Sequence, residues 1–327
     1  MLWGNIAMLH GPLENEGMDE KRSTAPGLSD FGQSTVVVVI PAFNEERLIG
    51  SVVLKTLCYP VTVIVVDDGS TDLTADLAAR AGAQVVCLPE NQGKGAALNA
   101  GVQKALDYEP DAVVLIDADG QHLPGELPVL LSPVLAGRAD VVVGSRYIAK
   151  GSKVPVHRIL GHKFFNLITG AASGVSVSDS QCGYRAFSRR ALDEIRFSST
   201  GFSVESEMQF WAHEKHLVVE EVPVTIQYLD KPKRPVMRQG MDVLSGVIKF
   251  TGQYRPLLYF GGTGGVVMAA GVLIGLRFVR IFFDTSELAL GSGLASVLLS
   301  IVGMILISTG FILHSVRGLL IELLEKK

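Results

Sequence analysis

Apolar positions along this chain follow two patterns, which change near residue 256. From Thr35 onward, short runs rich in Val and Ile alternate with stretches of helical periodicity. These runs occupy residues 36–40, 61–66, 85–88, 113–116 and 141–143. Continuous apolar strands separated by helices are typical of a parallel sheet that is covered on both faces. The sequence therefore predicts an α/β domain with a mostly parallel sheet.

Helices are predicted between these strands, at residues 45–57, 72–81, 95–106 and 125–135. Gly82 stands where a glycine is expected just beyond the end of a helix. In open α/β sheets, ligands bind beyond the carboxyl ends of the strands. The residues that directly follow each apolar run are therefore the first candidates for a functional site.

The C-terminal part contains two long runs without charged residues, at 256–276 and 288–316. About 20 helical residues cross a hydrocarbon layer of roughly 30 Å. We therefore predict two transmembrane helices, at about 257–276 and 290–314, joined as a hairpin by a short loop at 277–287. Two buried core helices are the alternative interpretation.

Basic residues flank this hairpin unequally. Those on the domain side are Lys249, Arg255, Arg317, Lys326 and Lys327, whereas Arg277 and Arg280 lie in the predicted loop. The positive-inside rule then predicts a multi-pass membrane protein with the α/β domain and both termini in the cytoplasm.

The predicted organisation has five parts. A disordered tail at 1–34 precedes the α/β domain at 35–230, and a juxtamembrane or interfacial segment follows at 231–256. The two membrane helices fall within 257–316, and 317–327 form a cytoplasmic tail. Hydrophobic residues make up 48% of the chain, which agrees with a membrane anchor, and the net charge of −4 excludes the basic surplus expected for a nucleic-acid partner.

Acidic side chains follow three of the predicted strands. Asp117 and Asp119 come directly after the fourth strand, where both carboxylates can turn toward one hard cation such as Mg²⁺ or Mn²⁺. The first strand runs into Pro-Ala-Phe-Asn-Glu-Glu at 41–46 and the second into Asp-Asp-Gly-Ser-Thr-Asp at 67–72. Each motif alone also suits a plain turn or helix start. Together they predict a polar site. The acids after the first and second strands would contact the ribose and the base, and those after the fourth strand would bind a metal.

Basic residues are predicted at the same edge. Lys94 stands in a Gly-rich turn at a helix N-terminus, where it can approach an anion, although a plain turn is an equal alternative. Arg146 follows the fifth strand in Gly-Ser-Arg.

The ordered motifs PAFNE, VDDGSTD, GKG, DADGQH, GSRY and DSQCGYR resemble those of family 2 glycosyltransferases of the GT-A fold. The resemblance covers roughly residues 36–228. With two membrane helices following, the chain is most similar to polyprenyl-phosphate sugar synthases, which include dolichyl-phosphate mannose synthases and bacterial glucosyltransferases.

The resemblance implies roles at the matching positions. It implies a donor site formed by Pro41, Phe43, Glu45, Asp67, Asp68, Lys94, Asp117 and Arg146. It implies a divalent metal, Mg²⁺ or Mn²⁺, on Asp117, Asp119 and Gln121, and an acceptor site at Arg158, Asn166, Tyr184 and Arg185. Asp119, Asp179, Arg146 and Arg158 would be the catalytic group. Glu205 and Glu207 match a helix that borders the acceptor side.

The resemblance implies inverting transfer of one hexose from a nucleotide sugar to a polyprenyl (dolichyl) phosphate, with GDP-mannose favoured as donor. Cys182-Gly183-Tyr184 replaces the Ser-Gly-Phe usual in mannose synthases, which keeps UDP-glucose or another UDP-hexose as an alternative. A polysaccharide synthase is a further alternative, against which stand the missing QxxRW motif and the small number of spans. A non-enzymatic membrane scaffold is the last, and the retained carboxylates argue against it.

Overall fold

The computed structural model describes residues 34–148, 156–194, 197, 204–227, 236–286 and 288–325. The predicted tail at 1–34 lies outside these residues except for Ser34. Residues 231–235 of the predicted juxtamembrane segment also lie outside them. Arg158 lies in a described helix, but its side chain is outside the described part.

Seven strands form one sheet within the described residues. They are β1 (Val36–Ala42), β2 (Thr62–Asp67), β3 (Gln84–Cys87), β4 (Ala112–Leu115), β5 (Val141–Ser145), β6 (Arg185–Ser188) and β7 (Val219–Pro223). Their order is β3-β2-β1-β4-β6-β5-β7, and β6 runs antiparallel to both β4 and β5 while the other pairs are parallel. The five predicted strands are confirmed, and β6 and β7 were not predicted.

Helices cover both faces of the sheet. They are α1 (Ile49–Thr56), α2 (Thr74–Arg80), α3 (Lys94–Leu106), α4 (Leu127–Leu135), α5 (Val156–Ser173), α6 (Arg189–Leu192), α7 (Val204–Glu214) and α8 (Val236–Tyr254). The strands β1 and β4 are buried almost throughout, which explains their continuous runs of Val, Ile and Leu. Gly82 has a φ of +99°, beyond the end of α2, as predicted.

Two long helices complete the chain, α9 (Gly262–Thr285), which follows a π-helical turn at Leu257–Gly261, and α10 (Leu290–Glu325). Apolar stretches long enough to cross a membrane run over Leu257–Thr285 and Leu290–Leu320, and only 6% and 11% of their most apolar windows are buried. This exposure contradicts the alternative of two buried core helices, because such helices would hide most of their surface.

The predicted loop at 277–287 is wrong in extent, because α9 continues through Arg277 and Arg280 to Thr285. Both arginines are exposed, and Arg280 lies 3.9 Å from Asp284 one turn further on. Charged side chains end an apolar run without ending a helix, since long cationic side chains can extend toward the membrane surface.

Small residues bring α9 and α10 into close contact. A Cβ atom on Gly264 would lie 2.7 Å from the carbonyl oxygen of Gly303, and one on Gly271 would lie 2.8 Å from the backbone nitrogen of Ser300. Glycine at these positions therefore allows the two backbones to approach more closely than any side chain would permit.

Candidate functional site

The candidate site lies at the edge of the sheet where the parallel strands end. The carboxyl ends of β1, β2, β4 and β5 meet there, and the loop that precedes β6 reaches the same edge because β6 runs in the opposite direction. The N-termini of α3 and α7 complete the surroundings through Lys94 and Glu205. This topology places the predicted acidic and basic residues on one side of the sheet.

Asp117 forms the centre of the site. The Lys94 ammonium lies 2.6 Å from Asp117 Oδ1 and 2.7 Å from Glu205 Oε1, so it bridges two carboxylates. His122 Nε2 lies 3.6 Å from Asp117 Oδ2. Burial alone would raise the pKa of Asp117, but the charge of Lys94 and the nearby His122 hold that pKa well below its usual range. Asp117 is therefore a carboxylate at neutral pH.

Asp119 lies in a different electrostatic environment from Asp117. Its Oδ1 atom accepts a hydrogen bond of 3.0 Å from the backbone N–H of Gln121. Burial, followed by the negative charge of Asp117, raises the pKa of Asp119 above its ordinary value. Two such carboxylates near each other stabilise a cation between them, because a cation removes their mutual repulsion.

The residues present fit a divalent metal ion. Asp117, Asp119 and the amide of Gln121 are oxygen donors of the kind that Mg²⁺ and Mn²⁺ accept, and such ions usually keep positions for water and substrate phosphate. No group of three or more His, Cys, Asp or Glu side chains forms a complete metal cage in the described part of the chain. The Lys94 ammonium lies against Asp117 and Glu205, so Asp117 already has one cationic neighbour.

The predicted donor residues surround the loop between β3 and α3. Asp68 accepts hydrogen bonds of 2.8 Å and 2.9 Å from the backbone N–H groups of Gln92 and Gly93, so both carboxylate oxygens order this loop. Asp67 accepts one bond of 3.3 Å from the backbone of Ser70, and its buried Oδ1 atom has no hydrogen-bond partner among the described residues. Asp68 therefore holds the backbone of the loop that precedes α3, next to the predicted donor site.

The loop after β1 contributes three further predicted donor residues. Pro41 lines a small gap together with Lys94 and Asp117. Phe43 is 39% exposed, which leaves its ring open to a ligand. The backbone N–H of Glu45 donates to Thr74 Oγ1 at 2.8 Å. The structure thus brings Pro41 to the carboxylate centre and leaves Phe43 at the surface of the pocket.

Arg146 and Asp179 form a buried ion pair on the other side of the site. Both the backbone N–H and the side-chain Nε of Arg146 donate to Asp179 Oδ2, and the Asp179 side chain is fully buried. Asp179 Oδ1 has no hydrogen-bond partner among the described residues. Asn166 holds the same loop, since its Oδ1 accepts from the backbone N–H of Ser180 at 2.9 Å and its Nδ2 donates to the carbonyl oxygen of Ser178.

Tyr184 and Arg185, the predicted acceptor-binding residues, are both buried next to Gly183. The Tyr184 hydroxyl donates to the carbonyl oxygen of Leu123, and its ring lies 5.1 Å from that of His122. Arg185 is 1% exposed and donates to the carbonyl oxygens of Cys182 and Ser180. Both side chains therefore have hydrogen-bond partners within the protein, and their predicted contact with an acceptor stays a prediction.

The contact between Glu205 and Lys94 was not predicted from the sequence. Glu205 was expected only at the acceptor border, whereas the structure joins it to Lys94 across 111 positions of sequence. His122 is a second residue whose contact was not predicted, although it stands in the Asp117 motif. No spacing rule links Lys94 to Glu205, because their proximity arises from the packing of α3 on β1 and β2 and of α7 on β6.

Known proteins are similar to this chain in sequence. A profile of the family described as "Glycosyl transferase family 2" matches residues 37–196. UDP-N-acetylglucosamine–dolichyl-phosphate N-acetylglucosaminyltransferase of Methanococcus voltae is 31% identical over 248 residues, which cover 68% of this chain and 95% of the relative. Polyprenol monophosphomannose synthase of Mycolicibacterium smegmatis is 35% identical over 202 residues, which cover 58% of this chain and 76% of the relative.

A solved structure shares the fold of the α/β domain. It is glucosyl-3-phosphoglycerate synthase from Mycobacterium tuberculosis in complex with Mn²⁺, uridine diphosphate and phosphoglyceric acid, with a TM-score of 0.54 and 25% identity, covering 70% of this chain and 83% of that chain. The fold and the matched sequence define a GT-A glycosyltransferase. The chain belongs to glycosyl transferase family 2, which confirms the predicted family, fold class and enzyme class.

Proposed function

We propose that this glycosyltransferase transfers one hexose from a nucleotide sugar to a polyprenyl phosphate in a membrane. The observation that carries the proposal is the attachment of the α/β domain to the apolar hairpin. Arg317 of α10 donates to Glu214 at the end of α7, and its guanidinium lies 5.2 Å from the centre of the Tyr254 ring. An acceptor with a lipid tail and a phosphate head matches an apolar hairpin attached to a cation-bearing site.

The names of the relatives support this acceptor. The Methanococcus voltae protein is named for a dolichyl-phosphate acceptor, and the Mycolicibacterium smegmatis protein is named for a polyprenol monophosphomannose product. The same two names differ in the sugar, which is N-acetylglucosamine in one and mannose in the other. We therefore propose GDP-mannose as the first donor to test and UDP-glucose or another UDP-hexose as the alternative.

A divalent metal, Mg²⁺ or Mn²⁺, is part of this proposal, with Asp117, Asp119 and Gln121 as its protein ligands. When bound, the metal would neutralise charge on the donor diphosphate and on the nucleotide that leaves. The Mn²⁺ and uridine diphosphate named for the mycobacterial structure support a metal and a nucleotide at this type of site.

Transfer requires little base catalysis if the acceptor is a phosphate monoester. Its second pKa is about 6, so it is largely dianionic at neutral pH and already nucleophilic. A phosphate oxygen would form the new bond to the anomeric carbon as the bond to the donor diphosphate breaks, which inverts the configuration. The chain's task is to bring two anionic groups together, and Lys94 and Arg146 supply positive charge for this purpose.

Orientation in the membrane is part of the same proposal. The excess of basic residues on the domain side of the hairpin supports a catalytic domain and two termini in the cytoplasm. Labelling of single cysteines introduced at the two ends of the hairpin, in sealed vesicles, tests this orientation. Cysteines near Ser286 that are labelled only after permeabilisation of inside-out vesicles support it.

The experiment for activity uses membranes that contain the protein, a polyprenyl phosphate and a panel of labelled nucleotide sugars. We expect label in the lipid extract. A chelator should prevent its incorporation, and added Mg²⁺ or Mn²⁺ should restore it. Asp119→Asn should abolish the transfer while membrane insertion is retained, because the amide lowers the negative charge at the metal site. Full transfer by this variant in the presence of chelator contradicts the proposal.

Two other outcomes distinguish the alternatives. Label in a polymer that stays at the aqueous interface, with none in monosaccharide lipid, favours a polysaccharide synthase. No binding of any nucleotide sugar in calorimetry, by a folded protein, favours a non-enzymatic scaffold.

A further inference from the structure

Glu205 and Lys94 form a pair whose arrangement has a consequence for metal binding. The Lys94 ammonium bridges Asp117 Oδ1 at 2.6 Å and Glu205 Oε1 at 2.7 Å. Glu205 stands near the start of α7, beyond the segment matched by the family profile. Its side chain is 5% exposed, so this carboxylate is removed from water and depends on a partner inside the protein.

A metal ion on Asp117 competes with Lys94 for the negative charge of this carboxylate. An ammonium 2.6 Å from Asp117 Oδ1 occupies the space and the charge that a divalent cation needs. Lys94 is therefore driven away from Asp117 when the metal binds, since two cations held close together on one carboxylate repel each other. The ammonium can move toward Glu205, because the Glu205 carboxylate already binds it as well.

Glu205 has one carboxylate oxygen that could accept a further hydrogen bond from Lys94. Its Oε1 atom accepts from Lys94, and its buried Oε2 atom has no hydrogen-bond partner among the described residues. An unsatisfied buried carboxylate oxygen is costly, so a closer approach of the Lys94 ammonium would relieve it. Gly183 leaves the space beside this pair open, since a Cβ atom there would lie 3.0 Å from Lys94 Nζ and 2.6 Å from Asp117 Oδ2.

We propose that Glu205 is a positioning residue that receives the Lys94 ammonium when a divalent cation takes Asp117. In the absence of metal, Lys94 neutralises Asp117 and so reduces the repulsion between the carboxylates of Asp117 and Asp119. In its presence, Glu205 retains Lys94 beside the metal, where its charge faces the donor diphosphate. Without Glu205, the ammonium has only Asp117 as a partner and opposes the metal more strongly. The inference rests on the metal site of the proposed function.

The test is a double-mutant cycle read by Mn²⁺ binding, using electron paramagnetic resonance on the full chain in detergent. Lys94→Gln should bind Mn²⁺ about five- to tenfold more tightly, because the competing ammonium is absent. Glu205→Gln should bind it about tenfold more weakly. In the Lys94→Gln background, Glu205→Gln should change Mn²⁺ affinity by less than about threefold, because the effect of Glu205 passes through Lys94.

Control variants separate this role from a structural one. Glu207→Gln alters a carboxylate two residues away that is equally buried, and its Mn²⁺ affinity should equal that of the wild type. Glu205→Asp retains the charge and should recover most of the affinity lost in Glu205→Gln. Thermal unfolding of each variant shows whether the fold is retained.

Three outcomes decide the matter. An equal loss of Mn²⁺ affinity on Glu205→Gln in both backgrounds shows that Glu205 acts on the metal directly and overturns the inference. No change in either background overturns it as well. A folded wild-type protein that binds no Mn²⁺ contradicts the metal site of the proposed function, which is a separate failure.

Discussion

Arg317 on the second apolar helix and Glu214 at the end of α7 form an ion pair that joins the hairpin to the catalytic domain. Both side chains are about three-quarters buried, at 25% and 29% exposure, and Arg317 also stacks on Tyr254. Nearby, Arg255 donates to the carbonyl oxygen of Ser173 at the end of α5. These polar contacts join the α/β domain to the base of the apolar hairpin.

Arg317→Ala should lower transfer to a lipid acceptor by about tenfold, because loss of a partly buried, charge-assisted hydrogen bond typically costs about 1.5–3 kcal/mol. Nucleotide affinity should stay unchanged, since Arg317 is far from the donor pocket. The measurements are kcat/KM for polyprenyl phosphate in vesicles and calorimetry with the nucleotide.

Arg280→Ala is the matched control for Arg317→Ala. Arg280 also lies on an apolar helix and near an acidic residue, Asp284, but this pair is highly exposed at the opposite end of the hairpin. Exposed ion pairs contribute little, so transfer should equal that of the wild type. An equal effect of both substitutions would show that the Arg317 contact has no special role.

Asp68→Asn should disorder the loop that precedes α3. Asn has one carbonyl oxygen, so it can accept from only one of the two backbone N–H groups of Gln92 and Gly93 and leaves the other unpaired. The expected cost is about 1–3 kcal/mol of unfolding free energy, with weaker nucleotide binding. Denaturant unfolding and calorimetry measure the two effects.

Asp76→Asn provides the comparison for Asp68→Asn. Asp76 pairs with Arg80 on the exposed face of α2, where an i, i+4 pair contributes only a few tenths of a kcal/mol. Its unfolding and nucleotide affinity should match the wild type. If Asp68→Asn behaves in the same way, the two amide hydrogen bonds do not order the donor pocket.

Gly183→Ala should reduce activity strongly while the protein stays folded. The added Cβ atom would lie 2.6 Å from Asp117 Oδ2, which forces the carboxylate or the loop to move. Overpacking of this kind costs about 1–3 kcal/mol, equivalent to roughly a five- to 150-fold loss if it falls on the bound metal and donor. Transfer assays and Mn²⁺ affinity measure the effect.

A glycine in open surroundings controls for the substitution itself. A Cβ atom on Gly50, in α1, would meet nothing within 4 Å. Gly50→Ala should keep full activity and raise stability slightly, because alanine favours helix more than glycine by about 1 kcal/mol. Normal transfer by Gly183→Ala would show that the space beside Asp117 is not limiting.

Thiol labelling tests the burial of the loop that supports Gly183. Cys182 is fully buried, and burial raises the pKa of its thiol to about 12, so almost no thiolate is present at pH 8. Cys58 and Cys87 are exposed. A thiol reagent at pH 8 should therefore modify two cysteines in the folded protein and three after denaturation. Rapid modification of Cys182 in the folded protein would show that the loop opens.

Much of the fold followed from the pattern of apolar residues. The strands β1, β2, β4 and β5 have buried side chains on both faces, so their Val and Ile runs are continuous and easily recognised. The strand β6 escaped prediction because its four residues include Arg185 and Ser188 and show no apolar run. It becomes a strand through pairing with β4 and β5, and Arg185 is tolerated inside because backbone carbonyl groups accept its hydrogen bonds.

The site was predictable to the extent that its residues follow strand ends. Asp68 and Asp117 lie at the expected edge for this reason. The role of Asp68 in ordering a loop was not predictable, since it depends on which backbone groups approach its oxygens. The contact between Lys94 and Glu205 depends on the packing of two helices that are distant in sequence. Contacts of this kind come from tertiary structure, which local spacing does not encode.

The reversed direction of β6 also has a practical consequence for imaging a protein of this small size. The loop before β6 enters the site, whereas the end of β6 emerges at the opposite edge, where the backbone N–H of Ser188 donates to the carbonyl oxygen of Asp140. That edge also carries exposed Glu109 and Arg138. An antibody fragment raised against this edge would add mass for electron microscopy while leaving the substrate entrance open.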